Sequence, residues 1–385
     1  MNTAPHLFVI AGEPSGDRLG GALMLGINEI APGTRWSGIG GPEMTARGLL
    51  SLFPMEELSV MGLAEVLPRY RQLMRRINET ARAVIDSGAE ALITIDSPDF
   101  CLRVARRVKA VKPDLKVIHY VAPTVWAWRP GRARKMADCV DHVLALFPFE
   151  PPFMEAAGMG CDFVGHPVVA EPQASGDEVA AFRATHGLSA DAPLILALPG
   201  SRMGEVGRLC PVFGDALVRV VAQHPDARVV VPTVGAVAQT VTDLTRDWPG
   251  APILLEPGAK QAKRAAFAAA DVALAASGTV SLELAAARTP MVIGYDMAWL
   301  SRQIIGRLLK VKTVTLVNLV SDTRAVPEFI GDACRPEALA DALLDTLSHP
   351  GRQLDAMQVT MERLGKGGER PGLRAARAVL DVVGA

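Results

Sequence analysis

The sequence predicts an α/β protein of two successive lobes, each built on a parallel sheet. Three observations carry that reading. Short β-rich apolar runs alternate with longer stretches of helical period over most of the chain, the pattern of βαβ units. Each run ends in a loop of Gly, Pro, Ser or Asp. The alternation is interrupted once, after Gly165-His166-Pro167, by the polar, Pro- and Gly-containing stretch EPQASGDE, and then starts again. In the first lobe the runs at 7–11, 91–95, 117–121, 143–147 and 161–164 read as strands; in the second, those at 194–198, 228–231, 253–255, 272–275 and 291–295. From about 336 to 383, Ala, Leu, Arg and Asp recur at helical spacing, so this stretch reads as helical, with a break at KGGERPG. The expected domains are therefore 1–167, 168–350 and a helical tail 351–385 that packs back towards the first lobe.

Composition narrows the function classes. At 385 residues the chain is long enough for about two domains. With 49% hydrophobic and 21% charged residues it lies outside the disordered regime. Forty Lys and Arg against 41 Asp and Glu leave a net charge of -1, so no global basic field drives nucleic-acid binding. Cys101, Cys139, Cys161, Cys210 and Cys334 are scattered singly, without a C-x-x-C pair or zinc-ligand spacing, which reads as a reducing compartment and no metal. The start, MNTAPHLFVIAGEPSGD, lacks a basic n-region, and no segment reaches the ~18 apolar residues of a membrane span. The expectation is a cytoplasmic protein, with peripheral membrane contact left open.

In open α/β sheets the loops at the carboxyl ends of the strands build the ligand crevice, so chemistry is sought there. AGEPSGDRLGG follows the first strand; its glycines at 12, 16 and 20 fit neither G-x-G-x-x-G nor a P-loop. It reads as a flexible turn bringing Glu13, Ser15 and Asp17 to the sheet mouth, or as a capped helix start. IDSPDF delivers Asp96 to a strand tip and Asp99 to the following helix start, because Pro98 disfavours helix at Ser97. Either carboxylate suits a general base, although Asp99 equally suits a cap. HYVAPTVWAWRPGRARK joins Trp126 and Trp128 to Arg129 and further cations, which suits a sugar, phosphate or headgroup, while either ring alone suits a core anchor. The segment 58–84 is apolar around Met61 and then carries Arg69, Arg71, Arg75 and Arg76; it reads as a surface for anionic membrane or as an ordinary amphipathic helix. In the second lobe LPGSR sets Arg202 to clamp a diphosphate. ASGTVSLE sets Ser277, Gly278 and Thr279 at a helix start, with Glu283 one turn on to accept ribose hydroxyls.

Taken in order, AGEPSGD, GIGGPEM, SVMGLAEVL, IDSPDF, HYVAPTVWAWR, LPGSR, ASGT-x-x-LE and VNL…VPEF closely resemble the lipid-A-disaccharide synthase family, from about Val9 to Phe329. The resemblance implies a GT-B fold: two Rossmann-like, doubly wound domains facing a central cleft. It implies an inverting transfer from UDP-2,3-diacylglucosamine to 2,3-diacylglucosamine 1-phosphate, giving a β-1,6 disaccharide phosphate and UDP, without a cofactor. It implies work at the cytoplasmic face of the inner membrane, and makes a homodimer an expectation. Carried over by motif, Asp96 is the base, Glu13 the second essential acid and Asp99 the fallback. Arg202, Ser277, Gly278, Thr279, Glu283, Asn318 and Glu328 face UDP; Ser15, Met61, Trp126, Arg129, Arg75 and Arg76 face the acceptor or the membrane. Two positions depart from the pattern: Cys101 stands where Asn is usual, and Gly331 where P-E-x-x-Q has its glutamine. The rival readings are a UDP-N-acetylglucosamine 2-epimerase-like or other GT-B enzyme, and a noncatalytic nucleotide-sugar or lipid-binding protein.

Overall fold

The computed structural model describes residues 4–58, 63–126, 131–189, 191–297 and 313–385, with side chains omitted for 63–69. Met61, Trp128 and Arg129 lie outside the described residues. The chain divides into two compact units, 4–170 with 367–385, and 171–366.

In the first unit six strands, β1 (His6–Ala11), β2 (Arg35–Ile39), β3 (Ala91–Ile95), β4 (Lys116–Tyr120), β5 (His142–Ala145) and β6 (Gly160–Phe163), form a parallel sheet in the order β2-β1-β3-β4-β5-β6. β1 and β3 are buried throughout, which is why they appear as unbroken apolar runs. β2, Arg-Trp-Ser-Gly-Ile, escapes that signal because an edge strand keeps polar positions. Helices α1 (Pro14–Ile30), α2 (Pro42–Thr45), α3 (Leu63–Ser87), α4 (Pro98–Val111), α5 (Gly131–Ala137) and α6 (Pro151–Glu155) join them.

The second unit opens with helix α7 (Gly176–Thr185), started by a capping box in which Ser175 Oγ accepts from Glu178 N and Glu178 Oε2 from Ser175 N. Its strands are β7 (Leu194–Leu198), β8 (Arg228–Pro232), β9 (Ile253–Leu255), β10 (Val272–Ala275), β11 (Met291–Tyr295) and the three-residue β12 (Glu328–Ile330), all parallel, in the order β12-β11-β10-β7-β8-β9. Helices α8 (Met203–Gln223), α9 (Ala238–Thr245), α10 (Lys260–Ala269), α11 (Val280–Ala287), α12 (Leu316–Ser321) and α13 (Pro336–Ser348) surround a core including Phe213, Leu217, Val229, Leu274 and Leu339.

The helical tail is split. Helix α14 (Gly351–Arg363) stays in the second unit, where Thr360 Oγ1 and Arg363 Nη1 donate to the carbonyls of Val317 and Val320. After the break at 364–370 the chain returns, and α15 (Pro371–Val383) packs on α1 in the first unit. Gly26 and Gly372 mark the crossing: a Cβ on Gly26 would lie 2.6 Å from the Gly372 carbonyl oxygen, and one on Gly372 2.6 Å from that of Ala22. Backbone touches backbone there, so neither position has room for a side chain.

Candidate active site

Each sheet has one place where strand order reverses. In the first unit the chain leaves β1 towards β2 and returns on the other side at β3; in the second, β8 and β9 lie on one side of β7 and β10 on the other. Such switch points open a crevice at the strand carboxyl ends, because the flanking loops diverge to opposite faces. Both crevices are lined by loops singled out from sequence.

Ala11 and Ile95 are register partners, so Glu13 and Asp96 emerge from neighbouring strand tips although they are far apart in the chain. The approach is tight. A Cβ on Gly12 would lie 2.6 Å from Ser97 Oγ, and one on Gly20 3.0 Å from Ile95 Cδ1. Gly12 and Gly20 are therefore packing positions, and the helix already begins at Pro14, correcting the expectation of a flexible turn. Half-buried Glu13 hydrogen-bonds to Asp96 and to exposed Ser15; burial, then the charge of Asp96, push its carboxyl above the usual range. The neighbouring Asp96 charge opposes ionisation of Glu13, so Glu13 holds its proton more tightly than an isolated glutamate does. Asp96 itself is half-buried, with access to solvent.

The tip of β3 is strained. Asp96 (φ 49) and Ser97 (φ 43) are successive non-glycine residues in the left-handed region, at about 1–3 kcal/mol each, and Val121 at the end of β4 has φ 85. Asp96 N donates to the Tyr120 carbonyl (2.9 Å), and Ser97 O accepts the first amides of α4, from Phe100 and Cys101, which holds the conformation. Asp99 is exposed on the first turn of α4. Beneath lie buried Cys101, its thiol pushed up by burial and by Asp96, and His119, bonded to Thr94 Oγ1 at 2.7 Å and pushed down to about 4 by burial, hence neutral. Asp17 is turned inward at 2% exposure. Its carboxylate accepts the amides of Gly41, Glu43 and Met44 at 2.8–3.1 Å, fixing the GIGGPEM loop.

Half-buried Trp126 stands in the loop after β4 and donates Nε1 to Glu150 Oε1 (3.3 Å). Sequence reasoning passed over Glu150; the signal available was a carboxylate closing the aromatic run Phe147-Pro148-Phe149 at a strand end. Arg75 is exposed and lines a groove of about 740 Å³ with Tyr70, Arg71, Met74, Asn78 and Arg82. Arg76 does otherwise: it forms a bidentate pair with Glu57 (2.6 and 2.9 Å), donates a single bond from Nη1 to Glu79 Oε2 (2.8 Å), and lies 4.2 Å from the centroid of Phe53. This corrects its reading as a free acceptor- or membrane-facing cation, since guanidinium and ring tie α3 to the segment before it.

In the second unit Leu198 pairs with Ala275, setting LPGSR beside ASGT. Gly200 has φ 115, and a Cβ there would lie 2.7 Å from that of Glu205. Buried Glu205 accepts Ser201 N (3.3 Å) and Arg202 Nη1 (2.9 Å), leaving the Arg202 side chain tethered yet 70% exposed. Opposite, Ser277 is half-buried and Gly278 and Thr279 exposed at the start of α11. Glu283 is paired with Lys263 Nζ at 2.6 Å, a cation the sequence reading passed over. Asn318 and Glu328 turn inward. Asn318, 0% exposed, donates to Val326 O and accepts Val326 N; Glu328 Oε2 accepts the Val314 and Thr315 amides and Thr315 Oγ1. Asn318 therefore reaches a ligand only through the loop it holds. Gly331 is buried at φ 63, a conformation that disfavours glutamine. Among the described residues no three His, Cys, Asp or Glu side chains gather as a metal site.

The sequence pattern of the lipid-A-disaccharide synthetase family matches residues 7–381. A lipid-A-disaccharide synthase of Ruegeria pomeroyi is 61% identical, covering 98% of this chain and 95% of that one, and one of Rhodospirillum centenum is 48% identical, covering 98% and 94%. Among solved structures, UDP-GlcNAc 2-epimerase from Neisseria meningitidis bound to UDP-GlcNAc superposes with TM-score 0.64 at 11% identity over 98% of this chain and 99% of that one. MurG of Acinetobacter baumannii does so with TM-score 0.54 at 16% identity over 99% of each. The structures attest the two-sheet GT-B fold; the sequence matches go further, and by them this chain belongs to the lipid-A-disaccharide synthase family.

Proposed function

We propose that this chain transfers the sugar of UDP-2,3-diacylglucosamine to the 6-hydroxyl of 2,3-diacylglucosamine 1-phosphate, with inversion, releasing UDP. The observation that carries the reading is the Glu13–Asp96 carboxyl pair at the switch point of the first sheet, in a chain of this family. Asp96 takes the 6-hydroxyl proton as the oxygen attacks the anomeric carbon, and the bond to the diphosphate breaks on the opposite face. Asp96 stands half-buried at the strand tip with access to solvent, and Glu13 is hydrogen-bonded alongside it. Exposed Asp99 is the weaker candidate.

The departing diphosphate gathers charge and needs donors already aimed at it. Arg202, aligned by Glu205, and the helix-start amides after Ser277 fill that part, while Glu283 takes ribose hydroxyls once Lys263 yields. Exposed Arg71, Arg75 and Arg82 with Tyr70 and Met74 suit an anionic lipid surface, which supports a peripheral position on the cytoplasmic face of the inner membrane. No helix among the described residues is long and apolar enough to cross a membrane.

Mass spectrometry of products from the purified protein tests the reading. Disaccharide phosphate formed only when donor and lipid monosaccharide phosphate are both present supports it. Donor converted to an epimer without acceptor, or no conversion at all, rejects it.

A further inference from the structure

Glu150 is a buried carboxylate, 2% exposed, with no Lys, Arg or His pairing with it among the described residues. Burial of that kind is costly and survives only where N–H donors converge. Three do, and they divide between its oxygens. Oε2 accepts the backbone amides of Leu146 (3.1 Å) and Phe147 (3.0 Å), closing its own loop. Oε1 accepts Trp126 Nε1, 24 residues back along the chain. A single neutral carbonyl oxygen, as in glutamine, would serve the local loop; the second oxygen is needed only to hold the indole.

What is held is a partly exposed aromatic face. Trp126 meets Phe149 edge-on, with centroids 5.1 Å apart and planes at 78°. Phe149 stacks on Phe147 at 5.5 Å, and Phe147 leans on His166 at 5.6 Å. The loop bearing Trp126 leaves β4, whose last residue, Tyr120, accepts the Asp96 amide, and Val121 N then donates to Leu144 O on β5. Asp96, Trp126 and Glu150 thus follow the carboxyl ends of three neighbouring strands.

We propose that Glu150 is a positioning residue of the acceptor half-site: its carboxylate fixes the Trp126 indole as a flat apolar wall against which the acceptor's sugar ring lies. The proposal rests on the glycosyl transfer proposed above and adds how the acceptor is oriented beside Asp96. An indole suits the task because a pyranose ring presents apolar C–H faces and a rigid aromatic loses little entropy on binding.

The test is a double-mutant cycle in the two-substrate assay. In Glu150→Gln the amide oxygen still accepts the Leu146 and Phe147 amides, but its NH2 group meets the indole N–H donor to donor. Trp126→Phe removes that N–H. Each single variant is expected to raise KM for the lipid monosaccharide phosphate about tenfold, the worth of one good hydrogen bond, with kcat and the donor KM nearly unchanged. The double variant is expected to be no worse than Trp126→Phe, because the bond is already gone. Independent, multiplying effects, a loss in kcat alone, or wild-type acceptor KM in Glu150→Gln overturns the proposal. Should Glu150→Gln not fold, Trp126→Phe decides by itself: an unchanged acceptor KM removes the wall. Absence of disaccharide from the wild-type protein would strike at the transfer itself, an outcome distinct from all of these.

Discussion

Two carboxyl groups in contact cannot ionise as easily as one, and the consequence at Glu13 can be measured. Burial and Asp96 raise its pKa above that in the unfolded chain, so between the two values the folded state binds more protons and loses stability as pH rises. Glu13→Gln abolishes the loss. The variant should melt higher than wild type at pH 7–8 and show a smaller gain near pH 4, while disaccharide formation falls. Equal melting shifts at both pH values would mean that Glu13 carries no raised pKa. Asp96→Asn should lower turnover by at least about 10²-fold, the usual share of a general base, with UDP affinity by calorimetry unchanged. Turnover within tenfold of wild type would take Asp96 out of the proton transfer. Strain at φ 49 and φ 43 survives at this tip because the Tyr120 carbonyl and the first turn of α4 hold both residues in place.

At the scale of elements, the glycine pattern of α1 is a packing code. Gly20 lets the helix lie against Met44 and Ile95, and Gly26 lets α15 touch it. Gly26→Ala places a methyl 2.6 Å from the Gly372 carbonyl oxygen, so the crossing must open. We expect destabilisation of roughly 1–3 kcal/mol, a drop of a few degrees in Tm, even though alanine is the better helix former. An unchanged or raised Tm would show that the crossing yields freely. The apolar runs of β1, β3, β7 and β10 were legible because strands buried on both faces contain little else. β2 and β12 were not, one being a polar edge and the other only three residues long.

At the scale of the molecule, the chain closes the first unit with its own last helix, which returns after Lys366 to bury Ala375, Ala376, Val379 and Leu380. Deleting 367–385 removes part of the first unit's core while leaving the second unit's strands and helices whole. Calorimetry should then show the first unit's melting lowered or lost, with UDP binding retained. Loss of UDP binding together with that transition would mean that the units do not fold separately.

The residues by themselves determined ten of the twelve described strands, with ends within two residues of those observed, and which end loops carry carboxylates, arginines and glycine turns. Those properties depend on side chains a few positions apart, and the ordered motifs named the family. Strand order decided the rest. Pairing β1 with β3 brings Glu13 to Asp96, and pairing β7 with β10 sets the LPGSR loop beside the ASGT loop, juxtapositions of positions far apart in the chain that no local pattern encodes. The same holds for the carboxylates that turned inward: the sequence singles out Asp17 and Glu328 as acids of the site loops and passes over Glu150. Only packing shows each one bonded to the backbone amides of a loop, because a buried carboxylate is defined by the donors that fold around it.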